Sequence, residues 1–150
     1  MTKSILLVDD DADIRTLLGA FLTQAGFHVH LARDGRHALH LLEKIDTPDV
    51  IVLDYIMPDM NGKEFLSERR RDARSRVVPV ILMSAWTRQW TGGNLGVAEI
   101  LTKPVDPERV LQAVQRVLSA PFKTPVRAIK FERRRFPRLR IAERGARRVP

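Results

Sequence analysis

The chain has 150 residues, 44% of them apolar, and a formal net charge of +8. This length fits one domain with a single core and leaves no room for a second full domain. Because the chain has no Cys, disulfides and thiolate metal sites are excluded, and because its N-terminal apolar run is too short for a signal segment or a membrane span, we expect a protein of the reducing cytoplasm.

Positive charge is concentrated near the C-terminal end. Residues 1–120 carry 15 Lys and Arg against 16 Asp and Glu, whereas residues 121–150 carry 11 against 2. We therefore divide the chain into a near-neutral domain, residues 1–120, and a basic tail, residues 121–150. The tail is expected to be flexible or to serve as a partner-binding extension.

The domain alternates short apolar runs with helical periodicity, which is typical of βαβ units around a parallel sheet. The predicted strands are residues 4–9, 28–32, 49–54, 78–84 and 99–102. Four helices are predicted. The first carries an apolar face and ends at Gly26 as a left-handed C-cap, and its face consists of Ile14, Leu17, Leu18, Phe21, Leu22 and Ala25. The second is marked by Ala38 to Ile45, the third by Phe65 and Leu66, and the fourth by Val110 to Leu118 after the N-cap Asp106 and Pro107. Residues 85–94 contain Gly92-Gly93 and no apolar stripe, so a regular helix is not favoured there.

Polar residues stand where three of the predicted strands end: Asp9 and Asp10, then Asp54, then Lys103. Open α/β sheets place their sites at the carboxyl ends of parallel strands. Clustered carboxylates repel one another, and a hard cation with oxygen ligands relieves this repulsion. Mg²⁺ suits a site with few protein ligands, and Asp10 and Asp54 are the strongest candidates for these ligands. An ionised Asp can also attack phosphorus if the charge on the phosphoryl oxygens is compensated. Mg²⁺ and the Lys103 ammonium would neutralise this charge, and the Ser84 hydroxyl would donate a hydrogen bond to a third oxygen. These residues therefore favour formation of an aspartyl phosphate.

Residues 4–118 resemble the receiver domain of bacterial two-component response regulators. The matching segments, in chain order, are Ile5–Asp11, Asp54–Gly62, Val80–Ala85 and Leu101–Pro104. The resemblance implies an α/β fold of the flavodoxin-like kind, with a five-stranded parallel sheet in the order 2-1-3-4-5 and helices on both faces.

The same resemblance implies a site and a function. Asp54 is the implied phosphoacceptor, assisted by Ser84 and by Lys103, which precedes a Pro that is usually cis. The implied Mg²⁺ ligands are oxygen atoms: the carboxylates of Asp9, Asp10 and Asp54 and the backbone carbonyl of Ile56. The implied donor is a sensor histidine kinase or a phosphotransfer protein, and phosphorylation switches the binding of a downstream partner. Such a protein is not an enzyme with an external substrate, but it catalyses its own phosphorylation and dephosphorylation.

Three departures from the family pattern bear on mechanism. Ile100 stands where the family usually has an aromatic residue, so signalling by rotation of an aromatic ring is not expected. The spacing from Ser84 to Lys103 is shorter than usual, which indicates a shortened or irregular helix before the last strand. Ile56 and Trp86 are bulky and apolar where the family controls access of water to the phosphate, so we expect slow self-dephosphorylation. Trp86 alternatively packs on the surface or in a partner interface.

The tail carries clustered arginines with interleaved aromatic residues between Lys130 and Arg140. Such a segment can bind nucleic acid or an acidic protein surface, or it can be solvated and disordered. It also resembles the opening of PilZ domains, whose Arg-x-x-x-Arg motif, here Arg134 and Arg138, binds cyclic di-GMP, although the β-barrel that should follow is not part of these residues. The alternative function is therefore an adaptor that binds nucleic acid or cyclic di-GMP through its tail under control of the receiver. A structural adaptor that is not phosphorylated is a third hypothesis.

Two further sites are not favoured by the sequence. His37 and His40 are three residues apart on a predicted helix, but no carboxylate or third His is placed to complete a metal site, so His28, His30, His37 and His40 are expected in surface or packing roles. No Gly-x-Gly-x-x-Gly follows the first strand, which excludes dinucleotide binding of the Rossmann type.

Overall fold

The computed structural model describes residues 1–85 and 96–120, which form a five-stranded parallel sheet flanked by helices. The strands are β1 Ser4–Val8, β2 His28–Ala32, β3 Val50–Asp54, β4 Val80–Ser84 and β5 Glu99–Thr102. The helices are α1 Ala12–Gln24, α2 Gly35–Lys44, α3 Gly62–Arg69 and α4 Pro107–Ser119, with a short 3₁₀ turn at Ser75–Val77. The strand order is β2-β1-β3-β4-β5, which confirms the predicted topology.

Some predicted strand boundaries differ from the structure by one or two residues. β1 ends at Val8, although the Asp9 N–H still donates to the Ala32 carbonyl at 3.1 Å. β4 begins at Val80 instead of residue 78, because Pro79 has no N–H to contribute to a ladder. β3 likewise begins one residue later than predicted, at Val50.

The predicted helix ends at Gly26 and Asp106 are present, and the structure adds Asp11 as the N-cap of α1. Asp11 caps α1 by accepting hydrogen bonds from the N–H groups of Asp13 and Ile14. Gly26 follows α1 with φ +101°, a left-handed conformation that glycine adopts without steric cost. Asp106 caps α4 by accepting from the Glu108 N–H.

The core consists of two apolar layers, one on each face of the sheet. Alternate residues of β1 enter opposite layers, with Ile5 and Leu7 on the side of α1 and α4, and Leu6 and Val8 on the side of α2 and α3. The same alternation in β3 leaves both central strands buried on both faces. Polar side chains of these strands therefore belong at the strand ends, and the site lies at the carboxyl ends.

The predicted apolar face of α1 is wrong at two residues, Leu17 and Ala25, which are both exposed. Leu18 and Leu22 are buried, but Leu17 is 59% exposed. Leu17 lies about 100° around the helix from Leu18, which turns it away from the sheet.

Several predictions concern residues beyond the described ranges. Trp86, Gly92-Gly93 and the tail arginines Arg134 and Arg138 lie outside the residues that the structure describes. The predictions made for them stay predictions. Within residues 1–85 and 96–120, no helix is both long enough and apolar enough to cross a lipid bilayer.

Candidate functional site

The two central strands bring three carboxylates together. β1 and β3 are paired in parallel, with Val8 opposite Leu53, so the residues that follow lie side by side at one edge of the sheet. Asp9 is fully buried and Asp54 is 3% exposed, whereas Asp10 is exposed. One carboxylate oxygen from each of Asp9, Asp10 and Asp54 lies within 4.8 Å of the other two. We call these three residues the acidic cluster.

Lys103 brings a positive charge to the acidic cluster from the end of β5. Its Nζ lies 2.9 Å from Asp54 Oδ1 and 3.8 Å from Asp9 Oδ2. Its backbone N–H donates to the Ser84 carbonyl at 2.9 Å, and the Lys103–Pro104 peptide bond is cis. The Lys103 ammonium is therefore directed at the carboxylates by a segment tied to the end of β4.

Burial is the main influence on the charge of the acidic cluster. Burial raises the pKa of Asp54 to about 6. The charge of Asp9 raises this pKa further, and Lys103 lowers it. Burial also raises the pKa of Asp9, against the hydrogen bond from the Asp11 N–H and the charge of Lys103. One ammonium group thus only partly compensates three carboxylates, which favours binding of a further cation.

The donor atoms fit a hard divalent cation. Asp9 Oδ2 is buried and has no hydrogen-bond partner among the described residues, since Lys103 Nζ at 3.8 Å is too distant for a hydrogen bond. The cluster offers only carboxylate oxygens, the ligand type that Mg²⁺ prefers, and exposed Asp10 leaves one side open to water. Asp9, Asp10 and Asp54 could therefore hold Mg²⁺.

Backbone contacts fix the acidic cluster. The Asp11 N–H donates to Asp9 Oδ1 at 2.9 Å, and the Arg15 guanidinium donates to the Asp9 carbonyl at 2.8 Å. Arg15 was not predicted as a site residue. The sequence indicates its role only through its position, as a cation one helical turn beyond the N-cap Asp11. The Ile56 N–H donates to Asp54 Oδ1 at 3.3 Å, so the backbone just after β3 turns toward the Asp54 carboxylate.

Gly62 permits the loop after Asp54 to close on itself. Its N–H donates to the Tyr55 carbonyl at 2.7 Å, and a Cβ on Gly62 would lie 2.9 Å from Tyr55 Cα. A side chain at residue 62 would therefore displace the backbone beside Asp54. This contact explains the glycine that follows Asn61, the N-cap of α3.

Ser84 and Ile56 occupy different environments near the cluster. Ser84 is buried at the end of β4 and pairs with Thr102, the residue before Lys103. The Ile56 side chain is 56% exposed, so it lies at the surface two residues beyond Asp54. Trp86, the other residue predicted to control water access, is outside the described residues.

Comparison with protein families identifies the family of this domain. The model of the response regulator receiver domain matches residues 5–115. This range includes every residue of the acidic cluster, together with Ser84 and Lys103.

Curated relatives share the same region of the chain. A probable transcriptional regulator, ycf27 of Guillardia theta, is 34% identical over 119 residues, which cover 77% of this chain and 45% of that protein. The regulatory protein AtoC of Escherichia coli K12 is 38% identical over 117 residues, 76% of this chain and 25% of that protein. The chain thus spans less than half the length of these two relatives.

Solved structures resemble the whole domain. Chemotaxis protein CheY4 of Vibrio cholerae has a TM-score of 0.72 at 35% identity, covering 79% of this chain and all of that one. The receiver domain of the sensor histidine kinase PA1611 of Pseudomonas aeruginosa has a TM-score of 0.71 at 28% identity, covering 80% of this chain and 100% of that one. That receiver domain has a magnesium ion coordinated in its active-site cleft.

Proposed function

The chain belongs to the response regulator receiver domain family, and from this premise we propose that it is switched by Mg²⁺-dependent transfer of a phosphoryl group to Asp54. The observation that carries the proposal is the buried Asp54 carboxylate, 2.9 Å from Lys103 Nζ and within the acidic cluster. A buried carboxylate with an adjacent ammonium and two further carboxylates matches the needs of phosphoryl transfer to an aspartate.

The proposed donor is a phosphohistidine on a sensor histidine kinase or a phosphotransfer protein in the cytoplasm. An Asp54 carboxylate oxygen attacks phosphorus, a P–O bond forms as the P–N bond breaks, and the imidazole keeps the electron pair and takes up a proton. The reaction needs ionised Asp54, and a pKa of about 6 leaves the carboxylate mostly ionised above neutral pH. The product is an acyl phosphate on Asp54.

Each neighbour of Asp54 has a proposed part in this transfer. The Lys103 ammonium neutralises one phosphoryl oxygen, and the Ser84 hydroxyl donates a hydrogen bond to another. Asp9, Asp10, Asp54 and the Ile56 carbonyl would hold Mg²⁺, which supplies positive charge to the phosphoryl oxygens when bound. These groups belong to the chain itself, so the chain catalyses its own phosphorylation once a donor is present.

Hydrolysis of the acyl phosphate is proposed to be slow. Ile56 is two residues beyond Asp54, and its apolar side chain is largely exposed. A bulky side chain at this position would hinder the approach of water to phosphorus. The sequence predicts the same role for Trp86.

The proposed output is altered binding of a partner. Phosphorylation would shift an existing equilibrium between two arrangements of the domain surface. Ile100 in β5 is 40% exposed and presents an aliphatic side chain, so the output is proposed to proceed without rotation of an aromatic ring at this position.

The charge distribution favours one second function, binding of an acidic partner or nucleic acid by residues 121–150. These residues carry 11 Lys and Arg against 2 Asp and Glu. Binding of a labelled oligonucleotide by the full chain should weaken steeply with salt. Replacement of Arg133, Arg134 and Arg135 by Gln should weaken the binding and flatten the salt dependence, and equal binding by the variant would exclude this function.

The main proposal is tested by incubating the full chain with Mg²⁺ and acetyl phosphate and measuring its intact mass. We expect the gain of one phosphoryl group, lost on Asp54→Asn and lost when EDTA removes Mg²⁺. Asp46→Asn, which neutralises an exposed carboxylate, is the matched control and should be phosphorylated like the wild type. Modification of the Asp54→Asn chain, or the same yield in EDTA, would contradict the proposal.

A further inference from the structure

Two histidines lie together at the edge of the sheet, far from the acidic cluster. His28 and His30 are two residues apart in β2, so their side chains are on the same face of the strand. Their ring centroids are 4.6 Å apart, with the ring planes at 82°. The intervening Val29 packs into the core layer on the side of α1, which places both histidines on the other face.

The two imidazoles are accessible. His28 is exposed and His30 is half-buried. A neutral imidazole offers a nitrogen lone pair to a metal ion. Solvent ions can therefore reach two imidazoles that are already in contact.

We propose that His28 and His30 form a binding site for a transition-metal ion of the class of Zn²⁺, Ni²⁺ and Cu²⁺. Imidazole nitrogen suits these ions, whereas Mg²⁺ prefers oxygen. Two Zn–N bonds of about 2.0–2.1 Å at a tetrahedral angle separate the nitrogen atoms by about 3.3 Å. The ring centroids are 4.6 Å apart, so rotation of the two side chains would be enough to bring one nitrogen of each ring to this separation, and water would complete the coordination.

This site is separate from the acidic cluster in position as well as in chemistry. His28 pairs with Ser4 at the start of β1, whereas Asp9 follows the end of the same strand. Five residues of extended chain separate Ser4 from Asp9, a distance of about 16 Å. Occupation of one site can therefore be measured while the other is saturated.

The second pair of histidines differs in a way that makes it a control. His37 and His40 are on α2, and His37 Nδ1 already accepts a hydrogen bond from the Arg33 N–H at 3.2 Å. The chain has four His and no Cys, so these two pairs include every imidazole and thiol ligand, the tail included. Substitutions in the two pairs consequently cover all such ligands.

The experiment is a calorimetric titration of the full chain with Ni²⁺, and separately with Zn²⁺, in saturating Mg²⁺. The variants are His28→Gln, His30→Gln and the double control His37→Gln with His40→Gln. We expect one ion to bind per wild-type and control chain, with affinity at least about tenfold weaker in either strand variant, because loss even of a group supporting a metal ligand costs about 10- to 100-fold. Long-range proton–nitrogen spectra should show the nitrogen signals of His28 and His30 shifting together on addition of Zn²⁺.

Two results would overturn the site. One is wild-type affinity in His28→Gln, and the other is loss of binding in the control but not in the strand variants. Thermal unfolding in EDTA shows whether each variant folds, and exposed His28 tolerates Gln. Phosphorylation from acetyl phosphate should be unchanged in both strand variants, so failure of this site and failure of the Asp54 switch are distinguishable.

Discussion

Two regions of the molecule bury charge, and they compensate it differently. Arg69, at the end of α3, is 4% exposed, and its Nη1 donates to the carbonyls of Ser75 at 2.7 Å and Val78 at 2.8 Å. In the acidic cluster, Asp9 and Asp54 are equally buried, but they lie beside each other with one ammonium group nearby. Arg69 faces fixed carbonyl dipoles, whereas the two carboxylates face like charge.

The charge states show the consequence of this difference. Burial, and to a lesser extent Arg70, lowers the pKa of Arg69 to about 10, so the guanidinium stays charged at neutral pH and holds the connection to β4. Burial raises the pKa of Asp54 from its ordinary 3.8 to about 6, so ionising this carboxyl costs more free energy in the folded chain than in the unfolded chain. Each region retains one buried atom without a hydrogen-bond partner among the described residues, Arg69 Nε and Asp9 Oδ2. The Asp9 atom lies among three carboxylates, whereas the Arg69 guanidinium donates to two carbonyls, so we expect the acidic cluster to bind a cation and Arg69 to stabilise the fold.

The largest effect should come from removing the cation of the acidic cluster. Lys103→Met should slow phosphorylation from acetyl phosphate by about 100- to 1,000-fold, because the phosphoryl oxygens lose one of their compensating charges. The initial rate of phosphorylation, followed by intact mass at saturating Mg²⁺, measures this effect.

Two variants make the result specific to the position of the charge. Lys44→Met removes an exposed ammonium from α2 and should leave the rate unchanged. Lys103→Arg keeps the positive charge but replaces the compact ammonium by a planar guanidinium, so it should retain part of the activity. A wild-type rate in Lys103→Met would remove Lys103 from the transfer step.

Arg69→Met should have the opposite profile, with lost stability and retained chemistry. The Ser75 and Val78 carbonyls lose a charged donor, which should lower the free energy of unfolding by about 2–4 kcal/mol. Urea unfolding measures the loss, with the exposed Arg36→Met as control. Phosphorylation per folded molecule should be unchanged, and a stability equal to the wild type would show that Arg69 is not the structural counterpart of the cluster.

The topology and the cluster were predictable because their signals are local. The central strands β1 and β3 are continuous apolar runs that end at Asp9 and Asp54, and the short edge strand β5 ends at Lys103, so all three residues could be assigned to the carboxyl ends of the strands without coordinates. Asp11, Gly26 and Asp106 mark helix ends for equally local reasons.

Features that depend on tertiary contacts were not predictable. Arg69 belongs to a run of three arginines, and nothing in the run indicates which one turns inward to the Ser75 and Val78 carbonyls. The exposure of Leu17 depends on how α1 is rotated against the sheet. Among the histidines, sequence spacing drew attention to His37 and His40 on a helix, whereas the structure brings the rings of His28 and His30 together.

Neutralising Asp54 should stabilise the fold, in contrast to neutralising Arg69. The pKa of Asp54 rises from its ordinary 3.8 to about 6 on folding, so ionised Asp54 destabilises the folded chain above pH 6, and the penalty disappears as pH falls toward 4. Without Mg²⁺ at pH 7.5, Asp54→Asn should raise the free energy of unfolding by about 1–3 kcal/mol, because the pKa of about 6 already includes the opposing effect of Lys103. Urea unfolding at pH 7.5 and pH 4 tests this, and the gain should shrink at the lower pH. A variant less stable than the wild type at pH 7.5 would mean that the acidic cluster is compensated as fully as Arg69.

The smallest effect we expect is the pH dependence of Mg²⁺ binding. Mg²⁺ requires ionised carboxylates, and protons compete for a group whose pKa is about 6. The affinity should be nearly constant from pH 8 to pH 7 and should fall below pH 6 by about tenfold per pH unit, since one bound ion displaces one proton from Asp54 there. Calorimetric titration with Mg²⁺ at fixed ionic strength measures this, and the His28→Gln variant, altered only at the sheet edge, should give the same profile. An ordinary exposed carboxylate would hold its affinity down to about pH 5. A constant affinity down to about pH 5 would therefore show that Asp54 is not a Mg²⁺ ligand with a raised pKa. The acidic cluster and Arg69 would then differ in position but not in how fully their buried charge is compensated.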